Sequence, residues 1–266
     1  QVRSQVRFAL TGTPVENRLG ELWSIFSFLM PGYLPPYKSF CSRFEKPIVQ
    51  EEDQTAVRRL NQLTGPFILR RMKSDVLKEL PPKTENVYRI ELEEEQRKLY
   101  LAAVVDAREK LQAAKPEDKM AVFAVLMRLR EICCDPRLIA DNWEGGSAKL
   151  DACAELVSSA VEGGHRILLF SQFTSMLELL AKRLDAEGIS HFTLQGSTPK
   201  PVRAELVRRF NGGEVSVFLI SLRAGGTGLN LTAADIVIHY DPWWNVAAQN
   251  QATDRAYRIG QQNPVQ

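Results

Sequence analysis

Short apolar runs alternate with helix-length segments along the second half of the chain. The runs lie at residues 166–170, 190–194, 215–221 and 235–240, and apolar residues at helical spacing fill most of the intervals. Buried strands that alternate with helices form a parallel sheet with helices on both faces. Such sheets bind their ligands at the carboxyl ends of the strands. The sequence therefore predicts an α/β fold with a parallel sheet and a functional site at the strand ends.

The first part of the chain is predicted to be mainly helical. Apolar residues at helical spacing predict one helix that begins near Leu19 and two more over residues 94–114 and 119–134. Residues 6–10 and 87–92 have the apolar character of short strands. The residues expected to face a core are Leu19, Leu22, Trp23, Phe26 and Leu29 in the first helix and Val122, Val125, Leu126, Leu129 and Ile132 in the last.

Composition narrows the class of protein. Hydrophobic residues make up 44% of the 266 and charged residues 25%, which is typical of a soluble globular protein. This length favours two domains, or one domain with an insertion. Because the net charge is only +2, any nucleic-acid contact must come from local patches. No apolar run approaches the length of a membrane span, and the amino terminus shows no signal-peptide pattern.

Cysteine and histidine usage argues against disulfides and against a structural metal. The four cysteines (Cys41, Cys133, Cys134 and Cys153) form no C-x-x-C pair, so we expect reduced thiols in an intracellular protein. The three histidines form no H-x-x-x-H or Cys/His cluster, so no zinc site is expected.

Each predicted strand ends in a loop that is rich in small, hydroxyl or aromatic residues. The four loops contain Ser171-Gln172, Gly196-Ser197-Thr198, Gly225-Gly226-Thr227-Gly228 and Asp241-Pro242-Trp243-Trp244. Backbone N–H and hydroxyl donors at such positions suit phosphate oxygens. Taken singly, these segments are more typical of helix caps, turns and core. Together, at one sheet edge, they predict a phosphate-binding surface.

The last predicted helix carries Gln251, Arg255 and Arg258. Spacings of four and seven residues would place all three on one helical face. Two guanidinium groups one turn apart can hold phosphate oxygens that gain charge during transfer. Taken alone, the pattern is more typical of a solvated arginine face paired with Asp254.

Seven segments of the chain, taken in order, resemble the carboxyl-terminal half of a Swi/Snf-type DNA-translocating ATPase of helicase superfamily two. The RRMKSDV–ELPPK connector and the RIGQ ending are not general helicase features, and the short connector suggests a bacterial member. The matching segments are LTGTPVENRLGELWSIFSFLMPGYL (10–34), ILRRMKSDVLKELPPKTE (68–85), LMRLREICCDPRLI (126–139), ILLFSQFTSML (167–177), LQGST (194–198), FLISLRAGGTGLNLTAADIVIHYDPWWN (218–245) and QATDRAYRIGQ (251–261).

This resemblance implies an organisation into two RecA-like lobes. Residues 1–66 would be the end of the first lobe with its helical protrusion, and 67–85 the brace between the lobes. Residues 86–266 would be the second lobe, with a helical insertion at about 94–140.

The resemblance also implies roles for individual residues. Arg255 and Arg258 would be catalytic arginine fingers on the γ-phosphate of ATP, and Thr11, Gly12 and Thr13 would couple nucleotide state to DNA contact. The residues that bind nucleotide would be Gln251, Gly225, Gly226 and Thr227. The residues that contact the backbone of double-stranded DNA would be Ser171, Gln172, Gly196, Ser197, Thr198, Gly228 and Trp244.

Two motifs of such motors are absent from the sequence. There is no G-x-x-x-x-G-K-S/T loop for the phosphates and no Asp-Glu pair after a strand for Mg²⁺. We expect both to lie upstream, so that ATP and Mg²⁺ are bound mainly by a lobe outside this chain. Both ends are accordingly expected to be cuts within a larger protein, and the chain alone is expected to be inactive.

Two other classes of function remain open from the sequence. One is a strand-separating DNA or RNA helicase, and the other is a non-catalytic domain whose arginines bind an acidic partner. A translocase would act on DNA-bound proteins, in the cytoplasm of a bacterium or the nucleus of a eukaryote.

Overall fold

A computed structural model describes residues 4–12, 14–15, 18–71, 73–77, 79–113, 118–222, 224 and 228–266. The chain forms two compact units, residues 1–78 and residues 79–266. The division falls within the segment 67–85 that the sequence predicts as a connector. The domain boundaries at 66 and 85 themselves stay a prediction.

The first unit is helical around a small aromatic core. Its helices are α1 (Leu19–Leu29), α2 (Tyr37–Phe40), α3 (Lys46–Gln50), α4 (Gln54–Thr64) and α5 (Lys73–Val76), with a π-helical turn at Cys41–Glu45 and a 3₁₀ turn at Gly65–Phe67. The predicted first helix is confirmed: Leu22 and Phe26 of α1 are buried with Phe40 and Leu60. Asp53 caps α4 by accepting the backbone N–H of Thr55 at 2.7 Å.

The two strands predicted in the first hundred residues are wrong. Residues 6–10 and 87–92 form no strand, and their apolar side chains lie in solvent: Leu10 is 100% exposed and Val87 is 85% exposed. A strand is stable only when a neighbour takes up its backbone hydrogen bonds. Neither segment has such a neighbour among the residues that the structure describes.

The second unit alternates helices and strands. Its helices are α6 (Glu94–Ala113), α7 (Lys119–Cys134), α8 (Ala148–Glu162), α9 (Thr174–Ala186), α10 (Lys200–Asn211) and α11 (Val246–Thr253), with a 3₁₀ turn at Pro136–Leu138. Its strands are β1 (Ile167–Ser171), β2 (His191–Leu194), β3 (Val217–Ser221) and β4 (Ile236–His239). All four predicted strands of this half are present.

The described strands form one sheet in the order β2-β3-β1-β4, and every pairing is parallel. The end of the chain continues beside β4, where the N–H of Val237 donates to the carbonyl of Gln266 at 2.8 Å. The neighbouring Val265 pairs with Lys83 in a parallel bridge. The predicted α/β fold with a parallel sheet is therefore confirmed.

Both faces of the sheet are covered, because successive side chains of a strand point to opposite faces. Ile167 and Leu169 pack with α8 and α9 in one buried cluster. Leu168 and Phe170 pack on the other face with residues of α10 and α11. The two central strands, β1 and β3, are buried at every position, which explains their uninterrupted apolar sequences.

The helix pair α6 and α7 agrees with the sequence in position but not in its buried face. Val122 and Leu126, predicted to face a core, are 45% and 47% exposed, and only Ile132 of the five predicted core residues is fully buried. Pairing with α6 covers one side of α7, and only its carboxyl end reaches the main core, where Gln96 Nε2 donates to the carbonyl of Ile132 at 2.8 Å.

The cysteines are free thiols, as the sequence predicts. Burial raises the pKa of Cys134 to about 12, so this thiol is unreactive at neutral pH. Across the described ranges, no group of three His, Cys, Asp or Glu side chains is arranged to hold a metal ion. No helix in those ranges is both long and apolar enough to cross a membrane.

Candidate functional site

The carboxyl ends of the four parallel strands meet at one edge of the sheet. Ser171, Leu194, Ser221 and His239 are the last residues of these strands. The loops that follow them carry most of the residues predicted to bind nucleotide or nucleic acid. Their meeting at one edge follows from the parallel topology.

The loop after β1 is fixed by hydrogen bonds within the protein. The Ser171 hydroxyl is buried and accepts the N–H of Phe173 at 3.1 Å. The N–H of Gln172 donates to both carboxylate oxygens of Asp241, at 3.2 and 3.1 Å. The buried Gln172 Nε2 has no hydrogen-bond partner among the described residues. Ser171 therefore shapes this loop, while Gln172 retains an uncommitted side-chain donor.

The loop after β2 is held by an arginine that the sequence did not single out. Thr198 Oγ1 accepts the N–H of Gln195 at 3.0 Å, closing a turn that leaves Gly196 and Ser197 exposed. Arg203 of α10 donates to the carbonyls of Thr198 and Gly196, each at 2.7 Å. The sequence could have indicated this role through the position of Arg203 one turn into α10, because a long side chain that donates hydrogen bonds can reach back from there to the preceding loop.

The loop after β4 combines a buried carboxylate with two indoles. The Asp241 side chain is 2% exposed, and burial raises its pKa above the usual value. The rings of Trp243 and Trp244 lie with centroids 4.2 Å apart, and Trp244 is 51% exposed. An exposed indole at this edge can stack on a sugar or base.

The predicted helical stripe of Gln251, Arg255 and Arg258 is wrong in its geometry. Helix α11 ends at Thr253, so Gln251 is helical while both arginines lie in the turns that follow. The carbonyl of Arg255 accepts the N–H of Leu231 at 3.0 Å and is thus taken by the loop after β3. The N–H groups of Arg255 and Ala256 bond three residues back, to the carbonyls of Ala252 and Thr253, so the chain leaves the α-helix for turns before it reaches the arginines.

The two arginines occupy different environments. Arg255 is 7% exposed, and its Nε has no hydrogen-bond partner in the described part of the chain. Burial, followed by the charge of Arg258, lowers the pKa of Arg255 from its usual value. Arg258 is half-buried, and its Nη1 donates to the carbonyl of Leu229 at 3.3 Å. The segment 229–231 thus contacts both arginines.

Several predicted site residues are not placed at this edge. Thr11 and Gly12 are exposed and belong to the first unit. Thr13, Gly225, Gly226 and Thr227 lie outside the described residues. Gly228 is described, exposed, and has a φ of 55°, a conformation that favours glycine.

His239, which the sequence analysis did not use, connects β4 to α11. Its Nε2 lies 2.9 Å from the hydroxyl of Thr253, which itself donates to the carbonyl of Gln249 at 3.3 Å. The Thr253 hydroxyl has a single proton to donate, and when it donates to Gln249 the hydrogen bond with His239 is completed by a proton on Nε2. Burial lowers the pKa of His239 from 6.5 to about 4.

This shift predicts a pH-dependent stability. The unfolded chain takes up the His239 proton near pH 6.5 and the folded chain only near pH 4, so the folded state weakens as the pH falls between these values. The loss reaches at most about 3 kcal/mol. Urea unfolding of His239→Gln at pH 7, 5.5 and 4 should show a flatter dependence than wild type. His165→Gln, at a half-exposed histidine, is the control; parallel curves for His239→Gln and wild type would contradict the prediction.

The fold and the loops at its strand ends define a RecA-like α/β domain of the helicase type. A family model for SNF2-related domains matches residues 1–138, and a model for helicase conserved C-terminal domains matches residues 148–260. The chain belongs to the SNF2 family, as its sequence motifs predict.

Known proteins agree with this assignment. Over its whole length the chain is 39% identical to an uncharacterized ATP-dependent helicase of Mycoplasma genitalium, and over 97% of its length it is 42% identical to a putative ATP-dependent helicase/translocase of Bacillus subtilis. It covers only 26% and 29% of those two proteins. The SWI2/SNF2 ATPase core of Sulfolobus solfataricus, solved in complex with double-stranded DNA, is similar over 96% of this chain and 55% of its own, at 33% identity and a TM-score of 0.61.

Proposed function

We propose that this chain supplies the second motor lobe, with adjoining parts of the first, of an ATP-dependent translocase on double-stranded DNA. The observation that carries the proposal is the meeting of the strand-end loops at one sheet edge in an SNF2-family chain, in which Arg255 and Arg258 both contact the segment 229–231. The Bacillus relative is described as a helicase/translocase, and the Sulfolobus core was solved with double-stranded DNA. Both descriptions support the same activity here.

In this proposal Arg255 and Arg258 stabilise the charge that develops on the γ-phosphate, and Gln251 binds nucleotide beside them. ATP and Mg²⁺ would be held mainly by a P-loop lobe, since the 266 residues contain no G-x-x-x-x-G-K-S/T motif. The chain alone would therefore not hydrolyse ATP. Gly225, Gly226 and Thr227, which lie outside the described residues, would also contact nucleotide.

The DNA contacts of this proposal lie on the strand-end loops. Exposed Gly196 and Ser197 offer backbone N–H groups to phosphates, and Trp244 offers an exposed ring. Gln172, whose Nε2 is buried without a partner among the described residues, would turn this amide outward to reach a phosphate. Ser171, Thr198 and Gly228 would complete this surface. Thr11, Gly12 and Thr13 would couple nucleotide state to DNA contact from the first lobe.

The same proposal assigns the parts of the chain. Residues 1–66 would be the end of the first lobe, 67–85 the brace, and 86–266 the second lobe with its helical insertion at about 94–140. The brace assignment is supported by the hydrogen bond from the N–H of Thr84 to the carbonyl of Val265, at 2.9 Å, which ties this segment to the sheet.

DNA binding by the chain should be independent of base sequence and sensitive to salt. Log K should fall linearly with log [salt], by about 0.9 for each phosphate that a lysine or arginine side chain neutralises. Fluorescence anisotropy with two unrelated duplexes, titrated at several KCl concentrations, measures both properties. Trp244→Ala should weaken binding without altering the slope, because it removes no charge.

Arg208→Ala is the matched control for that titration. Arg208 lies at the carboxyl end of α10, hence at the opposite edge of the sheet, and pairs with Glu205. Its loss should leave both affinity and slope nearly unchanged. A zero slope, or strong preference for one of the duplexes, would contradict backbone recognition.

A further inference from the structure

Arg130 of α7 contacts the loop after β4 through its guanidinium group. Its Nη2 donates to the carbonyl of Pro242 at 2.8 Å and lies 3.9 Å from the Asp241 carboxylate. Its Cζ lies 5.1 Å from the ring centroid of Trp243 and 4.8 Å from that of Trp244. These distances suit a cation over aromatic rings. One side chain of the helix pair thus touches four consecutive residues of a strand-end loop.

A second residue of α7 supports the same loop. Phe123 precedes Arg130 by seven residues, two helical turns, and so lies on the same face of the helix. Its ring meets Trp244 edge-on, with centroids 5.6 Å apart and planes at 72°. Trp244 is therefore held between Phe123, Trp243 and Arg130 on one side while the rest of its ring stays exposed.

Asp241 extends these contacts to the loop after β1, because its carboxylate accepts the N–H of Gln172. A displacement of α7 would consequently move Trp244 directly, and it would move Gln172 through Asp241. These are two of the residues proposed to meet DNA, and they follow different strands.

We propose that Arg130 is a positioning residue that fixes the orientation of Trp244 and thereby couples the helix pair α6–α7 to DNA engagement. The inference rests on the proposed function. It assigns Arg130 an internal role: the side chain is only 21% exposed and its donors are directed to Pro242 and Asp241, so it does not serve as a phosphate-binding cation.

The test uses Arg130→Lys and Arg130→Gln. Lysine keeps the charge, but it lacks the planar group that lies over two indoles and donates to Pro242 at the same time. Glutamine removes the charge. Both variants should change the near-UV circular dichroism of the Trp243–Trp244 pair in the 266-residue chain, and both should leave the salt slope of DNA binding at its wild-type value.

In the longer protein that joins this chain to a P-loop lobe, both variants should lose about tenfold in DNA-stimulated ATP hydrolysis. ATP hydrolysis without DNA should be unchanged. Lys182→Gln on α9, which lies outside these contacts, is the matched control. If glutamine at 130 lowers the salt slope by about one while lysine preserves it, Arg130 contacts a phosphate and the proposal is overturned.

Two further results are decisive. Wild-type dichroism and wild-type stimulation in Arg130→Lys would overturn the positioning role even if that variant were less stable. A wild-type enzyme that DNA does not stimulate would refute the proposed function instead. In that case the dichroism of Arg130→Lys still decides whether Arg130 orients Trp244. Should Arg130→Gln fail to fold, Arg130→Lys carries both measurements.

Discussion

Replacing Arg258 with alanine is expected to lower ATP turnover by about 10³- to 10⁵-fold, or about 4–7 kcal/mol, in the protein that joins this chain to a P-loop lobe. The reason is electrostatic: a guanidinium aimed at the γ-phosphate offsets charge that develops only in the transition state. Among the described residues, Arg258 Nη1 donates to the carbonyl of Leu229, a neutral hydrogen bond whose exchange for a phosphate oxygen costs about 1 kcal/mol.

Single-turnover hydrolysis and DNA anisotropy should be measured on the same preparations. Arg258→Ala should bind DNA nearly as well as wild type, because the proposed function assigns Arg258 to nucleotide and not to DNA. Arg208→Ala, an exposed arginine-to-alanine change at the opposite sheet edge, should retain both activities. Turnover near the wild-type rate in Arg258→Ala would refute the finger role, and a parallel loss of DNA binding would assign this arginine to the nucleic acid.

The sheet was predictable from the sequence because its signal is local. The strands β1 and β3 are apolar at every position, and each is bounded by residues of loop character. Apolar residues at helical spacing likewise indicated the helix α9, which is followed by Gly188 with a positive φ of 70°, a conformation that favours glycine. The edge at which the strands end followed from topology alone.

The site was less predictable because long-range contacts build it. Arg130 precedes Pro242 by 112 positions, so no spacing rule connects them. The carbonyl of Arg255 accepts the N–H of Leu231, a contact between distant segments that helical periodicity does not indicate. The strand predicted over residues 87–92 is absent for the same reason. Apolar residues favour a strand, but the strand forms only when a neighbouring strand takes up its backbone hydrogen bonds.

Asp241→Ala is expected to lower the free energy of unfolding of the second unit by about 2–3 kcal/mol. The carboxylate is almost fully buried and takes the N–H of Gln172 with both oxygens. Alanine would leave that N–H without an acceptor and Arg130 without its nearest carboxylate. Hydrogen exchange of β1 and β3 amides in the whole chain reports this free energy, because central strands exchange only when the unit opens.

Two further substitutions separate the roles of charge and hydrogen bonding at this position. Asp241→Asn keeps an oxygen that can accept the N–H of Gln172 and avoids the cost of a buried charge. It should therefore lower the free energy of unfolding by less than about 1 kcal/mol. Asp185→Ala removes a carboxylate that is 73% exposed and should change the free energy of unfolding obtained from hydrogen exchange by less than about 0.5 kcal/mol. If Asp241→Asn were as damaging as alanine, the attraction between the Asp241 carboxylate and Arg130 of α7 would be the contact that stabilises this edge. If both matched the Asp185 control, neither contact would stabilise this edge of the sheet.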